Sequence, residues 1–331
     1  MATAAVMGDQ QIPDTFEAQR ETFDSLEQVW VDGEFLDWDE ATTHVLTHAI
    51  HYGTSVFEGV RCYDTAEGPA LFRWDAHLDR FFESAAVYDL DIGFDRAELT
   101  AATRRLVREQ DLDSCYVRPV AFFGYDRLGI NPTAPTRVPT RVAIACWPWG
   151  AYLGDDALES GIDVGVSSWR KYRSDAIPAT AKTGGAYVNN VLATQEATRE
   201  GYDEALVLNT EGDVAEGPGE NLFLVRDGEI YTPEIAAGVL DGVTRRSAIR
   251  LARELGYTVH DDATVSRGEL YTADELFFTG TAAEVTPIRT VDGVEVSDGS
   301  KGSVTDAIQR RFFEVLDERP AEYEAWFTDV W

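Results

Sequence analysis

"AKTGGAYVNN", residues 181–190, places Lys182 among small residues at the mouth of a predicted helix. The chain has 331 residues and only three lysines, Lys171, Lys182 and Lys301, against 25 arginines. A surface lysine needs no such setting. Ala181, Thr183, Gly184, Gly185 and Ala186 allow backbone to approach closely. A lysine held there with a lowered pKa can attack a carbonyl carbon and form a Schiff base.

The segments on either side of this stretch give the class. Downstream, the pattern predicts a helix over 186–200, a strand at 204–209 and a hairpin over 221–232 turning at Asp227-Gly228. A helix over 243–255, a strand at 275–279, a hairpin at Asp292-Gly293 and a helix from about 303 complete that half. Upstream, "VWVDGEFL" (29–36) reads as a hairpin around Asp32-Gly33, followed by "SVFEGVRCY" and "ALFRW" as strands. Helices from Asp75 and over 95–110 come next, then the strands "CYVRPVAFF" and "RVAIACW". The strand at 162–168 lies beyond "WPWGAYLGDD" (147–156), whose Gly, Pro and aromatic content marks a connection. The class is α+β, with more hairpins than a doubly wound parallel sheet carries. A chain of this length predicts two domains.

Composition narrows the partners. Asp and Glu number 59 against 28 Lys and Arg, a net charge of −31 spread along the whole chain. Nucleic acid and anionic membranes would be repelled. Acid in excess and arginine in place of lysine point to a halophilic protein of a salt-rich cytoplasm, where a Debye length of about 3 Å screens self-repulsion. Cys62, Cys115 and Cys146 form no C-x-x-C pair, so neither a disulfide framework nor a zinc ribbon is expected. The first 25 residues have no basic start and no apolar run and read as a mobile leader. No segment approaches the roughly 18 apolar residues that cross a bilayer.

Neither a G-x-x-x-x-G-K-[ST] loop nor a G-x-G-x-x-G turn occurs, and no G-x-S-x-G elbow. His44, His48 and His51 would share one helical face, but their segment is β-rich by propensity and carries no H-E-x-x-H pattern. Packing or interface histidines are the better reading, and no metal is expected. Other stretches suit a different chemistry. "AEGPGENLFLV" (215–225) sets Glu216 in a glycine-rich turn before a strand. Gly242, Val243 and Thr244 open a helix whose N–H groups can meet a phosphate, and Gly280-Thr281-Ala282 ends a strand in a second such turn. A lysine, a carboxylate for a ring nitrogen and a phosphate cradle together describe a pyridoxal 5′-phosphate site.

From about residue 28 onward the chain resembles the branched-chain amino acid aminotransferases, a fold type IV class of pyridoxal phosphate enzymes. The resemblance is carried by "HAIHYGTSVFEGVRCY", "YVRP", "GINP", "WPWGAYLG", "AKTGGAYVNN", "EGPGENLF", "GVTR" and "GTAAEVTP". It implies a smaller α/β domain over 26–146, a linker at 147–157 and a larger cofactor-binding domain over 158–331. It implies amino transfer between L-leucine, L-isoleucine or L-valine and 2-oxoglutarate. D-amino acid aminotransferases and aminodeoxychorismate lyases of the same fold are the alternatives; "YVRP" and "GVRCY" favour the first reading. Lys182 matches the family's Schiff-base lysine, Glu216 the partner of the pyridine nitrogen and Tyr187 the hydroxyl near the ring's phenolic oxygen. Arg80, Val243, Thr244 and Thr281 match phosphate ligands; Thr281 and Ala282 match the turn for the substrate α-carboxylate. Tyr52, Phe57, Gly59, Arg61, Tyr116, Arg118, Trp149 and Tyr152 match the substrate pocket. Some of these reach a partner's site in the family, so a homodimer or larger homo-oligomer is implied, in the cytoplasm. Two positions depart from the pattern: Asp241, where relatives often carry proline ahead of the phosphate turn, and Ala186, where many carry Asn.

Overall fold

The structure is a computed structural model that describes Thr22, Phe23 and residues 26–150, 152–154 and 156–331. Apart from Thr22 and Phe23, the leader expected over 1–25 lies outside the described residues, as do Ala151 and Asp155 of the expected linker. The chain separates into two compact units, Met1–Gly150 with Ala181–Gly185 and Val315–Trp331, and Ala151–Thr180 with Ala186–Glu314.

The first unit is an antiparallel sheet with helices. Its strands are β1 (Gln28–Val31), β2 (Glu34–Asp37), β3 (Ser55–Phe57), β4 (Val60–Thr65), β5 (Gly68–Phe72), β6 (Cys115–Phe123), β7 (Thr140–Trp147) and the strand Phe327–Asp329. The order is 327–329, β5, β4, β6, β7, β1, β2, with β3 also paired to β6. Asp32 and Gly33, with φ of 49° and 97°, make the tight turn between β1 and β2. Helix α1 (His48–Tyr52) is short; α2 (Trp74–Val87) and α3 (Arg96–Glu109) are the long ones. α2 buries Trp74, Leu78, Phe81 and Ala85 at helical spacing. α3 starts in a capping box, the Asp95 carboxylate accepting from the Glu98 N–H and the Glu98 carboxylate from the Asp95 N–H, both at 2.8 Å. These faces join Trp30, Leu71, Phe123 and Ile144 in one core, each large side chain adding about 1.5–3 kcal/mol on burial.

Two expectations are corrected here. "SVFEGVRCY" is two strands, not one, because the Glu58 carboxylate is drawn into a buried ion pair and Gly59 packs beneath the Tyr116 hydroxyl. The stretch around His48 is helical despite its β-prone residues. Buried His48 bonds Thr54 Oγ1 through Nδ1 and the Gly129 carbonyl through Nε2, both at 2.8 Å, and Gly53 closes the turn at φ 65°. Tertiary contacts outweigh a weak local preference there.

The second unit is a mixed sheet. It contains β8 (Ile162–Arg170), β9 (Glu204–Leu208), β10 (Val214–Glu216), β11 (Asn221–Arg226), β12 (Glu229–Pro233), β13 (Val259–Ala263), β14 (Glu275–Gly280), β15 (Glu284–Val291) and β16 (Val294–Glu295). Their order is β10, β9, β8, β15, β14, β11, β12, β13, with β16 on β15; β8 runs parallel to β9 and β15, and β12 to β13. The helices are α4 (Ala157–Ser160), α5 (Tyr187–Glu200), α6 (Val243–Glu254), α7 (Arg267–Leu270) and α8 (Ser303–Glu318). α5 presents Ala193 and Ala197 to Ala205 and Val207. Leu222, Leu224, Leu276 and Phe278 belong to the larger core of this unit. The class is α+β.

Candidate active site

The first unit gathers a cationic cluster around Lys182. Its short segment 181–185 is clipped into that unit by backbone. The Lys182 N–H donates to Ser84 Oγ at 2.9 Å, its carbonyl accepts from the Phe57 N–H at 3.1 Å, and Thr183 bridges Val56. Gly184 is required by proximity, since a Cβ there would lie 2.2 Å from Ser55 Oγ. The Lys182 ammonium sits 5.3 Å from the centre of the Phe57 ring. Burial, then the Arg80 guanidinium, push its pKa down, with Glu58 opposing. Both effects favour the neutral amine over the ammonium form.

Arg80 is fixed by a carboxylate that the sequence reading passed over. Its Nε donates to Glu58 Oε1 at 2.7 Å and its Nη2 to Oε2 at 2.8 Å. His77 Nδ1 lies 2.8 Å from the same Oε2. All three side chains are buried. Burial alone would raise the Glu58 pKa, but Arg80 and His77 hold it far below the ordinary carboxylate range.

Arg118 rests in an aromatic box. Its guanidinium carbon is 4.8 Å from the Phe57 ring centre, 5.3 Å from Tyr116 and 5.9 Å from Trp147. Its Nε is buried with no hydrogen-bond partner. Arg61 is buried and donates to the carbonyls of Trp149 and Gly150 at 3.2 and 2.9 Å. Tyr116 meets Trp149 edge-on at 4.5 Å. Lys182, Arg80, Phe57, Gly59, Arg61, Tyr116, Arg118 and Trp149 thus belong to one unit. Tyr52 is in that unit too, at the end of α1, half exposed and 4.6 Å from the His48 ring.

The second unit carries Glu216, Tyr187, Val243, Thr244, Thr281, Ala282 and Tyr152. Glu216 ends β10 and is buried at 4% exposure. Its Oε1 accepts from Lys171 Nζ, and its Oε2 accepts from Asn221 Nδ2 at 3.1 Å and the Leu240 N–H at 2.9 Å. Asn221 also donates to the Leu240 carbonyl at 2.9 Å. The carboxylate and the loop into α6 are therefore one construction. Gly242, the N-cap of α6, makes no side-chain cap; a Cβ there would sit 2.0 Å from Asn221 Oδ1. Val243 and Thr244 follow, both buried, and as first-turn residues their N–H groups have no acceptor within the helix. Thr281 and Ala282 occupy the turn between β14 and β15, and Tyr187 opens α5.

The Asp241 carboxylate is paired with arginines of this helix: Oδ2 accepts from Arg246 Nη1 at 2.8 Å, and Arg245 Nη1 lies 3.9 Å from Oδ1. Nothing in the structure explains Ala186. Glu58, His77, Lys171 and Asn221 were not singled out from sequence. Lys171 had a usable signal, as one of three lysines in an arginine-rich chain. Among the described residues no group of three or more His, Cys, Asp or Glu could hold a metal ion, and no helix is long and apolar enough to cross a membrane.

Comparison with known proteins fits this donor set. The sequence profile of the family described as amino-transferase class IV matches residues 55–291. A relative from Pseudomonas aeruginosa, named branched-chain-amino-acid aminotransferase, is 47% identical over 91% of this chain and 97% of its own. The crystal structure of the Escherichia coli branched-chain amino acid aminotransferase superposes with a TM-score of 0.89 at 45% identity, covering 92% of this chain and 99% of that one. A T.th. branched-chain amino acid aminotransferase complexed with N-(5′-phosphopyridoxyl)-L-glutamate gives 0.87 at 46% identity, covering 92% and 99%.

Proposed function

The chain belongs to the class IV amino-transferases, among the branched-chain-amino-acid aminotransferases, and from there we propose that Lys182 both binds the cofactor and carries the transferred proton. The enzyme is a fold type IV transaminase of L-leucine, L-isoleucine or L-valine and 2-oxoglutarate, and its cofactor is pyridoxal 5′-phosphate. Bound, that cofactor supplies an electron-withdrawing ring that acidifies the amino acid's α-carbon.

The observation that carries the residue assignment is Lys182 itself: a clipped, partly buried amine whose ammonium form is disfavoured by burial and by Arg80. Lys182 would hold the cofactor covalently through Nζ, and the same nitrogen, once released, would accept and return the amino acid's α-proton. Arg80, the N–H groups of Val243 and Thr244, and Thr281 hold the phosphate. Glu216 would partner the ring nitrogen and Tyr187 the phenolic oxygen. Thr281 and Ala282 receive the substrate's α-carboxylate. Tyr52, Phe57, Gly59, Arg61, Tyr116, Arg118, Trp149 and Tyr152 enclose its side chain, Arg118 answering the second carboxylate of glutamate.

We read the enzyme as a homodimer or larger homo-oligomer of a salt-rich cytoplasm. Val45, Ile50 and Ile130, 72%, 60% and 87% exposed, support association, since apolar side chains this open favour cover. The decisive experiment is borohydride reduction of the loaded protein followed by peptide mass spectrometry. The cofactor's mass should be fixed on Lys182, and Lys182→Ala should carry none. Label on another residue would overturn the assignment.

A further inference from the structure

Lys171 is the other buried lysine, at 4% exposure, and its ammonium is spent on Glu216. A lysine rarely goes fully inside unless paired, and a buried pair is costly unless every partner is in place. Here the carboxylate takes three donors: the Lys171 ammonium on one oxygen, the Asn221 amide and the Leu240 N–H on the other. Two of the three are neutral. Lys171 is therefore the cation bonded to Glu216, with Arg245 the other positive group acting on that carboxylate; Tyr172, whose ring centre is 5.0 Å from Lys171 Nζ, and Tyr187 are the other titratable groups acting on the lysine. Burial works against the Lys171 charge, yet Glu216, Tyr172 and Tyr187 together raise its pKa above the ordinary lysine value.

We infer that Lys171 is a positioning residue: it keeps the Glu216 carboxylate paired and anchored before any cofactor arrives. The inference rests on the reading of Glu216 as the partner of the pyridine nitrogen. Without Lys171 the buried carboxylate keeps only neutral hydrogen-bond donors, with Arg245 acting through space, and burial then favours its protonated form. A protonated ring nitrogen would then meet a neutral acid, and binding would have to expel that proton. The consequence is a pH-dependent loss of cofactor affinity that the intact pair suppresses. A purely structural lysine would give no such slope.

The test uses the full chain stripped of cofactor and titrated with pyridoxal 5′-phosphate from about pH 6 to about pH 8, read by fluorescence quenching. Lys171→Met should lose about tenfold in affinity at the acid end relative to the alkaline end, one pH unit being a factor of ten in protonation ratio. Lys171→Gln, a milder change, should show the same slope if the Met variant does not fold. Lys171→Arg should restore the unmodified protein's profile. Adding Lys171→Met to Glu216→Gln should contribute no further slope, because there is no carboxylate left to titrate. Wild-type profiles in both uncharged variants, or equal slopes in the Arg and Met variants, would overturn the role of Lys171. If Glu216→Gln binds cofactor as the unmodified protein does, the reading of Glu216 fails instead.

Discussion

Glu58 and Arg80 meet as a buried fork, Nε to Oε1 at 2.7 Å and Nη2 to Oε2 at 2.8 Å, with 1% and 6% of the two residues exposed. Removing one partner leaves the other charge stranded. Glu58→Gln should therefore cost about 3–5 kcal/mol of stability, measured by urea unfolding. Arg105 and Glu109 form an exposed pair on α3 at 2.7 Å, and Glu109→Gln should cost less than about 0.5 kcal/mol. If the two variants unfold alike, burial is not what makes the fork strong.

His77 shares that carboxylate and stays neutral in the folded chain, its pKa lowered by burial from 6.5 to about 4 against the pull of Glu58. The unfolded chain therefore binds more protons between those values. Stability should fall as pH drops through that window, by about 3 kcal/mol at most from this residue. Glu58, with its pKa held down, adds its own loss at still lower pH. Melting temperature against pH should be shallower for His77→Leu than for the unmodified chain, and parallel curves would remove His77 as a cause.

Arg118 is predicted to separate the two half-reactions. Its guanidinium is stacked on Phe57 and Tyr116, with a buried Nε that has no partner. Glutamate brings a second carboxylate and leucine does not. Arg118→Leu should weaken the glutamate half-reaction by about 1.5–3 kcal/mol and leave the leucine one nearly unchanged, both read by single turnover. Equal losses would mean that Arg118 only shapes the pocket.

A net charge of −31 should make stability depend on salt. Melting temperature is expected to climb from dilute buffer to molar potassium chloride as repulsion is screened. A flat response would remove the salt-rich setting from the proposal.

The hairpins were legible because their chemistry is local. Asp227-Gly228 and Asp292-Gly293 adopt φ of 52° and 75° in both turns, which Asp tolerates and Gly prefers. Lys182, Glu216 and the Gly242 turn were legible because small residues crowd around them in sequence. Glu58 and His77 were not, and Lys171 was marked only by the scarcity of lysine. Glu58 finds Arg80 22 residues away, His77 finds Glu58 19 away and Lys171 finds Glu216 45 away, and nothing beside them in the chain signals that a charge will be buried. The short helix at His48 was hidden for a related reason, since its bond to Gly129 spans 81 residues.

The first unit is not continuous in sequence, and that affects how it can be made. It includes Ala181–Gly185 and Val315–Trp331, and the strand Phe327–Asp329 pairs with β5 at Ala70, Leu71 and Phe72. Buried Arg319 bonds Asp329 at 2.6 Å, and Arg108 donates to the Val330 carbonyl. During synthesis, β5 leaves the ribosome roughly 250 residues ahead of its edge partner, on the order of tens of seconds at about 5–20 residues per second. Until then its outer edge has unpaired backbone groups, the kind of surface that recruits other strands. In the second unit β8 also waits for β15, but for only about half as many residues. The nascent chain should therefore be most vulnerable to aggregation in its N-terminal half, and a chaperone that holds strand edges should engage it there.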